Sequence, residues 1–228
     1  MTQPSASPHT EKPYHHGQLR QALLTAALQL AETRGLSALT LREVARLAGV
    51  SHAAPYHHFA DKSALIEALA AEGFQHLRQA LQLAVEQATG SAIVQLQALG
   101  MAYVQFALVH PTEFRLMFRP ELREAHTTGS ASASEIVGQV AQAAYQVLIE
   151  AVERCQAEGF VITGDSEPFV MTCWATMHGL ATLFIDGLPG DWHETPALHD
   201  KSGVLAQQVT AILTNGFQAT ASAQRFAP

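Results

Sequence analysis

The sequence is poor in charge, in cysteine and in long apolar runs, and each shortage excludes a class of protein. Only 14% of its 228 residues are charged and 48% are hydrophobic, which excludes global disorder and permits a sizeable core. No run of about 18 uninterrupted apolar residues occurs, which argues against a membrane-spanning helix. The first 13 residues are polar and do not resemble a signal peptide, so we expect a cytoplasmic protein without a membrane partner.

Motifs for catalysis and metal binding are also missing. The chain has no Gly-x-Ser-x-Gly, phosphate loop or His/Cys set at metal-ligand spacing, so we expect no enzyme, no metal and no cofactor. The pairs His15-His16 and His57-His58 do not change this, because adjacent helical residues point about 100° apart. Cys155 and Cys173 lie in apolar helical patterns without CxxC spacing, which predicts buried thiols rather than a disulfide.

The net charge of −7 is unevenly distributed. Residues 1–78 contain seven Lys/Arg and six Asp/Glu, whereas the rest of the chain has six against fourteen. Seven of the 12 histidines also lie in the first part. A less acidic, His-rich N-terminal part is compatible with one-sided contact to DNA, although charge alone does not demand it.

Hydrophobic periodicity predicts an all-α protein. After an arm over residues 1–15, a first helix is expected over residues 17–34, and Thr40-Leu41-Arg42-Glu43 is a capping box for a second. Gly49 ends that helix, and Ser51 is predicted to cap a short third helix over residues 52–58. Phe59 is expected to enter the core, and Asp61 to cap a long fourth helix ending near residue 90.

The remaining sequence predicts further helices and no β-strand. Residues 127–134 and 186–196 are predicted to be loops because they are of low complexity or rich in Gly and Pro. The expected helices cover about residues 91–109, 112–118, 135–158, 167–185 and 200–217.

The second and third helices have the spacing of a helix-turn-helix. Ala45 is small enough for the helices to approach, Gly49 permits the turn, and Val50 anchors it. The following helix then projects its leading residues outward, where an α-helix fits the major groove of DNA.

Residues 39–62 resemble the signature of the tetracycline-repressor (TetR) family. That pattern is Thr-x-Arg, then Ala-x-x-x-Gly-Val-Ser, then Tyr-x-His-Phe-x-x-Lys, and every position is matched, from Thr40 to Lys62. The resemblance spans about residues 15–80, and Pro55 departs from the Leu or Ile of many members. It implies an all-α fold of about nine helices. A helix-turn-helix domain would cover residues 16–62, with the fourth helix, 62–89, as a link and a larger ligand-binding and dimerisation domain over 63–228.

The resemblance also implies roles for individual residues in binding double-stranded DNA. Thr40 and Arg42 would hold phosphate or reach a base, and Tyr56, His58 and Lys62 would contact phosphates. The recognition helix would begin at Ser51 and present to the groove the side chains of His52, Ala53, Ala54 and His57.

In the C-terminal part, residues 110–118 and the Trp174…His178-Gly179 string resemble the WHG-type subgroup of the family. Trp174 and His178 are spaced i, i+4 and share a helix face, where they either line a ligand cavity or pack in the core. An aromatic and Met-rich set is the candidate ligand pocket. It comprises Tyr103, Phe106, Phe114, Met117, Phe118, Met171, Trp174, Met177 and His178.

The family resemblance implies a mechanism. A homodimer formed through helices 167–185 and 200–217 would bind a palindromic operator, and an unknown small apolar or amphipathic effector would release it. The expected function is therefore a ligand-responsive transcriptional regulator, with repression as the family's usual mode. The alternatives are an enzyme or helical ligand-binding protein without DNA binding, and a family member acting through protein contacts. The intact Arg42, Tyr56 and Lys62 set argues against the last.

Overall fold

In a computed structural model, the chain is mostly helical over the residues that the structure describes, which are 16–119, 131–187 and 202–225. These residues contain eight α-helices and no strand, which confirms the all-α prediction. The helices are α1 (His16–Arg34), α2 (Leu41–Leu47), α3 (Lys62–Gln87), α4 (Ala92–Val109), α5 (Pro111–Met117), α6 (Ala131–Ala157), α7 (Glu167–Asp186) and α8 (Ser202–Arg225). Two short 3₁₀ helices, Leu36–Ala38 and Ala54–His57, complete the set.

The chain divides into two compact units between Leu65 and Ile66, inside α3. We call them the N-terminal and the C-terminal unit. The predicted domain boundary at residues 62/63 lies at the start of the same helix. Because α3 is continuous across the division, one helix contributes residues to both units.

The N-terminal unit has a small core in which α1 packs against α2. Phe59 is buried in this unit, as predicted, and the Arg20 guanidinium lies over its ring at 5.6 Å from the centroid. Fully buried aliphatic side chains fill the rest of the core, among them Leu23, Leu24, Ala27, Leu39, Val44, Ala45 and Leu65.

Local signals fix the ends of the helices around the turn. The Glu43 N–H donates to Thr40 Oγ1 at 3.2 Å, and the Ala64 N–H donates to Asp61 Oδ1 at 2.9 Å, so both predicted N-caps are confirmed. Gly49 has φ of +69°, which a residue without a Cβ adopts at little cost. The Val50 N–H then reaches back to the Ala45 carbonyl and closes the helix end.

Two details of the turn differ from the prediction. The segment expected as an α-helix over residues 52–58 is a turn followed by the 3₁₀ helix Ala54–His57, because Pro55 has no N–H for an α-helical bond. Ser51 is not its side-chain cap: the N-cap is Ala53, and Ser51 contributes only its carbonyl, to the Ala54 N–H. This accounts for eight described α-helices where about nine were expected.

The capping box at Thr40 is only half formed. The Glu43 carboxylate does not return to the Thr40 backbone but accepts hydrogen bonds from Arg46 at 2.8 Å and Arg34 at 3.4 Å. Charge-assisted bonds to guanidinium are stronger than a bond to a neutral amide, which explains the exchange.

The C-terminal unit is built around α4, which packs against α6, α7 and α8. Gly100 permits the close approach, since a Cβ there would lie 3.3 Å from Met177 Sδ and from a Thr210 side-chain carbon. By length and composition α4 and α7 could each cross a membrane, with mean hydropathies of 1.6 and 1.3. Apolar core helices pass the same criterion, and these two pack against each other in the core.

Other boundaries shift by a few residues. The predicted helix over residues 200–217 is α8 and continues to Arg225, because no Gly or Pro lies between Gly216 and Arg225 to stop it. The helix α6 begins at Ala131, inside the stretch expected as a loop. The arm over residues 1–15 and most of the loop predicted over 186–196 lie outside the described residues.

Candidate nucleic-acid interface and ligand cavity

The segment after the helix-turn-helix turn presents its side chains to solvent. The Tyr56 side chain is 59% exposed, and His52 and His57 are exposed as well. Among the predicted DNA-contacting residues of this segment, Ser51 and Ala53 are also exposed, whereas Ala54 and His58 are half-buried. Pro55 and Phe59 point inward and anchor the segment to the core.

Two cations flank this segment. Arg42 is exposed on α2, and no ion pair involves it among the described residues. Lys62 is exposed at the start of α3, and its Nζ donates to the Leu36 carbonyl at 3.0 Å, a bond that positions the ammonium group. Thr40 is exposed, but its hydroxyl oxygen already accepts the Glu43 N–H.

Glu43 organises the neighbouring cations. Its hydrogen bond with Arg46, with added attraction from Arg34 and Arg42, lowers the pKa of the carboxyl below its ordinary value of 4.5. The Thr40-x-x-Glu43 pattern predicts only the capping role of Glu43. The sequence does contain a signal for the ion pair, because Glu43 and Arg46 are three residues apart on one helix and such pairs lie side by side.

The C-terminal unit contains a cavity of about 450 Å³, which is within the usual size range of small-molecule sites. Its walls come from five helices and from Phe118, the residue after α5. They are formed by Phe74, Leu77, Leu81, Leu96, Leu99, Gly100, Tyr103, Phe118, Gly138, Ala141, Gln142, Ala144, Tyr145, Leu148, Glu167, Met171, Cys173, Trp174, Met177, Thr210, Leu213 and Thr214.

The nine predicted pocket residues divide into two groups. Five of them line this cavity, namely Tyr103, Phe118, Met171, Trp174 and Met177. The other four, Phe106, Phe114, Met117 and His178, pack outside its lining. Whether any of the nine binds a ligand stays a prediction.

Trp174 and His178 have different positions although they share a helix face. Trp174 lines the cavity, whereas the His178 ring packs against Phe118, with centroids 4.5 Å apart. The Tyr103 hydroxyl lies 2.9 Å from His178 Nδ1. Burial raises the pKa of Tyr103 and lowers the pKa of His178, so both groups form this hydrogen bond in their neutral forms, and the tautomer of the ring sets which of them donates.

Several cavity residues escaped the sequence analysis. Thr210 and Thr214 lie on α8, and Gln97 Nε2 donates to Thr214 Oγ1 at 2.8 Å. Gln142 and Tyr145 on α6 and Glu167 on α7 supply further polar atoms. None of these positions is distinguishable from ordinary core or surface residues by helical spacing.

Buried titratable groups in the described part of the chain also include Glu113, Cys155 and Cys173. Glu113 is only 4% exposed and lies between His76 and His110, with the nearest Nδ1–Oε distance 2.7 Å, to His76. Among the described residues, no group of three His, Cys, Asp or Glu side chains could hold a metal ion. Cys155 and Cys173 are free and buried, as predicted, and burial raises their pKa values to about 11 and about 12.

Both units match known families. Residues 96–219, more than half of the chain, match the family described as "Tetracyclin repressor-like, C-terminal domain". Residues 23–69 match "Bacterial regulatory proteins, tetR family". The chain belongs to the TetR family of bacterial regulatory proteins. As members of this family are DNA-binding transcription regulators, the protein is a non-enzymatic DNA-binding regulator.

Solved structures agree with this assignment. A protein of unknown function from Rhodococcus sp. RHA1 is 37% identical, with a TM-score of 0.70 over 92% of this chain and 98% of that one. A tetR-family regulatory protein from Rhodococcus RHA1 is 20% identical, with a TM-score of 0.64 over 88% and 97% of the two chains. The ketosteroid transcriptional regulator KstR2 of Mycobacterium tuberculosis is 21% identical, with a TM-score of 0.61 over 86% and 93%. The last two share the fold, and the WHG-type subgroup stays a prediction.

Proposed function

We propose that this TetR-family regulator is a cytoplasmic repressor, which binds a near-palindromic operator as a homodimer and dissociates when a small apolar or amphipathic molecule enters the cavity. The observation that carries the proposal is the pairing of two features on one chain. One unit exposes Tyr56, Arg42 and Lys62 around a helix-turn-helix, and the other encloses a cavity of ligand size.

The DNA contacts follow from exposure and chemistry. Arg42, Tyr56, His58 and Lys62, with Thr40 beside them, suit phosphate oxygens, because each offers a donor at the edge of the recognition segment. His52, Ala53, Ala54 and His57 face the major groove, and Ser51 stands at the start of the segment. Of the five residues proposed to contact phosphates, His58 is half-buried and the other four are exposed, so the His58 side chain can move least.

The homodimer forms through α7 and α8. The only charged residues of α7 are Glu167 and Asp186, and α8 has only Arg225. Both helices nevertheless expose large apolar side chains, including Leu183 on α7 and Ile212, which is 73% exposed, on α8. The Thr172 hydroxyl bonds to the Pro168 carbonyl, so its methyl group is free to face a partner. A charge-poor apolar face of this kind is typical of homodimer interfaces.

Effector binding is transmitted through α3. Phe118 lines the cavity, and the preceding residue, Met117, packs on Gly73 of α3, where an added Cβ would lie 2.7 Å from Met117 Cγ. A molecule that displaces Phe118 therefore presses on the helix that begins with Lys62. A shift in the separation of the two recognition segments then lowers operator affinity.

The first test is binding to DNA from the upstream region of the protein's own gene, measured by fluorescence anisotropy at several salt concentrations. Lys62→Ala and Tyr56→Ala should weaken binding, and Lys62→Ala should reduce the salt slope by about one. Arg78→Ala is the matched control, since it removes an exposed cation from the C-terminal part of α3. Equal losses for Arg78→Ala and Lys62→Ala would contradict the proposed interface.

The second test concerns release. Lipophilic molecules that saturate the purified protein should lower its operator affinity at least tenfold. The repressor model fails if saturated protein binds the operator as tightly as the free protein.

The third test concerns the dimer. Ile212→Asp should turn the dimer into a monomer in analytical ultracentrifugation and abolish cooperative operator binding. Thr220→Asp, which places the same charge at an exposed position nearer the end of α8, is the control. A dimer that survives Ile212→Asp unchanged would contradict the proposed interface between the two copies.

A further inference from the structure

The cavity has an asymmetric charge environment. Among the described residues that line it there is no Lys or Arg, and its single acidic residue is Glu167, at the first turn of α7. The remaining walls are aliphatic, aromatic, or neutral and polar. A ligand with an anionic group would find no cationic partner on these walls, whereas a ligand with a cationic group would find one carboxylate.

Aromatic rings line the same cavity as Glu167, which is itself an exposed residue. Glu167, Met171 and Trp174 follow one another at i, i+4 and i+7 and share one face of α7. The Tyr145 ring of α6 meets Trp174 edge-on, with centroids 6.0 Å apart. Both rings line the cavity and are only half-buried, so part of their surface is open to a ligand.

Glu167 and Tyr145 are near enough to interact electrostatically. The pKa of Tyr145 is raised, first by burial and then by the charge of Glu167. The negative potential that disfavours a tyrosinate here favours a cation in the same place. Rings of Trp and Tyr add to this attraction, because the faces of aromatic rings are negative.

We propose that the effector is a lipophilic cation, whose ammonium or related group lies between the Glu167 carboxylate and the Tyr145–Trp174 pair, and whose apolar part fills the remaining cavity. This inference rests on the proposed function, because it names the ligand class of that same cavity. It excludes fatty-acid-like anions as the preferred ligands.

Three probes with the same apolar chain separate charge from hydrophobicity, namely decyltrimethylammonium, 1-decanol and decanoate. Their binding to the full-length protein is measured by isothermal titration calorimetry below the concentrations at which they aggregate. We expect the cation to bind about tenfold more tightly than decanoate, with decanol between them. Equal affinities, or tighter binding of decanoate, would overturn the inference.

Variants locate the effect. Glu167→Gln should weaken binding of the cation by about threefold to fivefold and leave decanol unchanged. Glu153→Gln, at an exposed position of α6 outside the cavity lining, is the matched control and should change neither. Tyr145→Phe retains the ring and should preserve cation binding, whereas Tyr145→Leu should weaken it. If Glu167→Gln and Glu153→Gln behave alike toward the cation, Glu167 is only a helix-end residue and the inference is wrong.

The calorimetric experiment and the operator-release experiment fail independently. If decanol and decanoate bind and release DNA as well as the cation does, the repressor model stands and the charge preference is wrong. If the cation binds preferentially but leaves operator affinity unchanged, the charge preference stands and the release mechanism is wrong.

Discussion

The candidate DNA-contacting side chains of the N-terminal unit come from one continuous stretch, residues 40–62, whereas the cavity of the C-terminal unit is lined by residues spread over positions 74–214. In the N-terminal unit, the turn at Gly49, the N-caps Thr40 and Asp61, and the buried ring of Phe59 determine the geometry. In the C-terminal unit, five helices must pack before any cavity exists. A contiguous site depends on local signals, and a dispersed site depends on the whole core.

The largest effect expected from this contrast is the loss of the small core. Phe59→Ala should cost about 3–5 kcal/mol, since it empties a buried aromatic position in the unit with fewer core residues. Hydrogen exchange should show the N-terminal unit unfolding locally, and operator binding should disappear.

Phe114→Ala, at a similarly buried ring in the C-terminal unit, is the control for this comparison. It should lower stability by a similar amount and enlarge the space beside Tyr103 and His178 without selective unfolding of residues 16–65. If both variants open both units to the same extent, the units are not separate folding regions.

An intermediate effect is expected at the contact between α3 and α5. Gly73→Ala should destabilise the protein by about 1–2 kcal/mol, because the new Cβ overlaps Met117 by more than the gain in helix propensity can offset. Thermal or denaturant unfolding measures this loss. Gly216→Ala, where an added Cβ meets nothing within 4 Å, should be neutral or slightly stabilising.

A double-mutant cycle sharpens the test. Met117→Ala should cost less in the Gly73→Ala background than in the wild type, since the smaller side chain relieves the overlap. Additive losses would show that Met117 and Gly73 do not share a contact of the geometry described.

The smallest effects are expected in the pH dependence of stability, and the two units should lose stability in different pH ranges. Burial lowers the pKa of His178 below its ordinary value of 6.5, so the unfolded chain binds this proton more readily than the folded one. Stability of the C-terminal unit should therefore fall as the pH drops below about 6.5. His178→Asn should remove that part of the pH dependence of the unfolding midpoint.

In the N-terminal unit the titration window is more acidic. The pKa of Glu43 is lowered by its bond with Arg46, so the ionised carboxylate stabilises the folded state. This stabilisation is fully present above the unfolded pKa of 4.5 and is lost as the pH falls through the lower pKa of the folded state. Glu43→Gln should make the free energy of unfolding less dependent on pH below 4.5, as followed by circular dichroism. The loss of stability that is assigned to the protonation of His178 should remain in this variant. A single common transition in both variants would contradict the assignment.

The same contrast explains how far the sequence alone could predict the structure. Thr40, Gly49 and Asp61 acted as expected, because each satisfies or redirects backbone groups within a few residues. The prediction at Ser51 was wrong because the missing N–H of Pro55 favours a 3₁₀ helix with different bonds. In the C-terminal unit, helical spacing identified apolar faces but could not separate Met171, which lines the cavity, from Met117, which packs on α3.

Helix α7 lines the cavity with Trp174 and Met177 on one side and exposes Leu183 on another. In the function that we propose, a substitution on this helix that alters the choice of effector would therefore also affect the dimer. Helix α6 contributes Gly138, Ala141 and Gln142 to the same cavity and lies outside the dimer interface that we propose. When related regulators diverge toward new signals, the earliest changes should accumulate on α6, and laboratory selection for altered inducers would be most productive there.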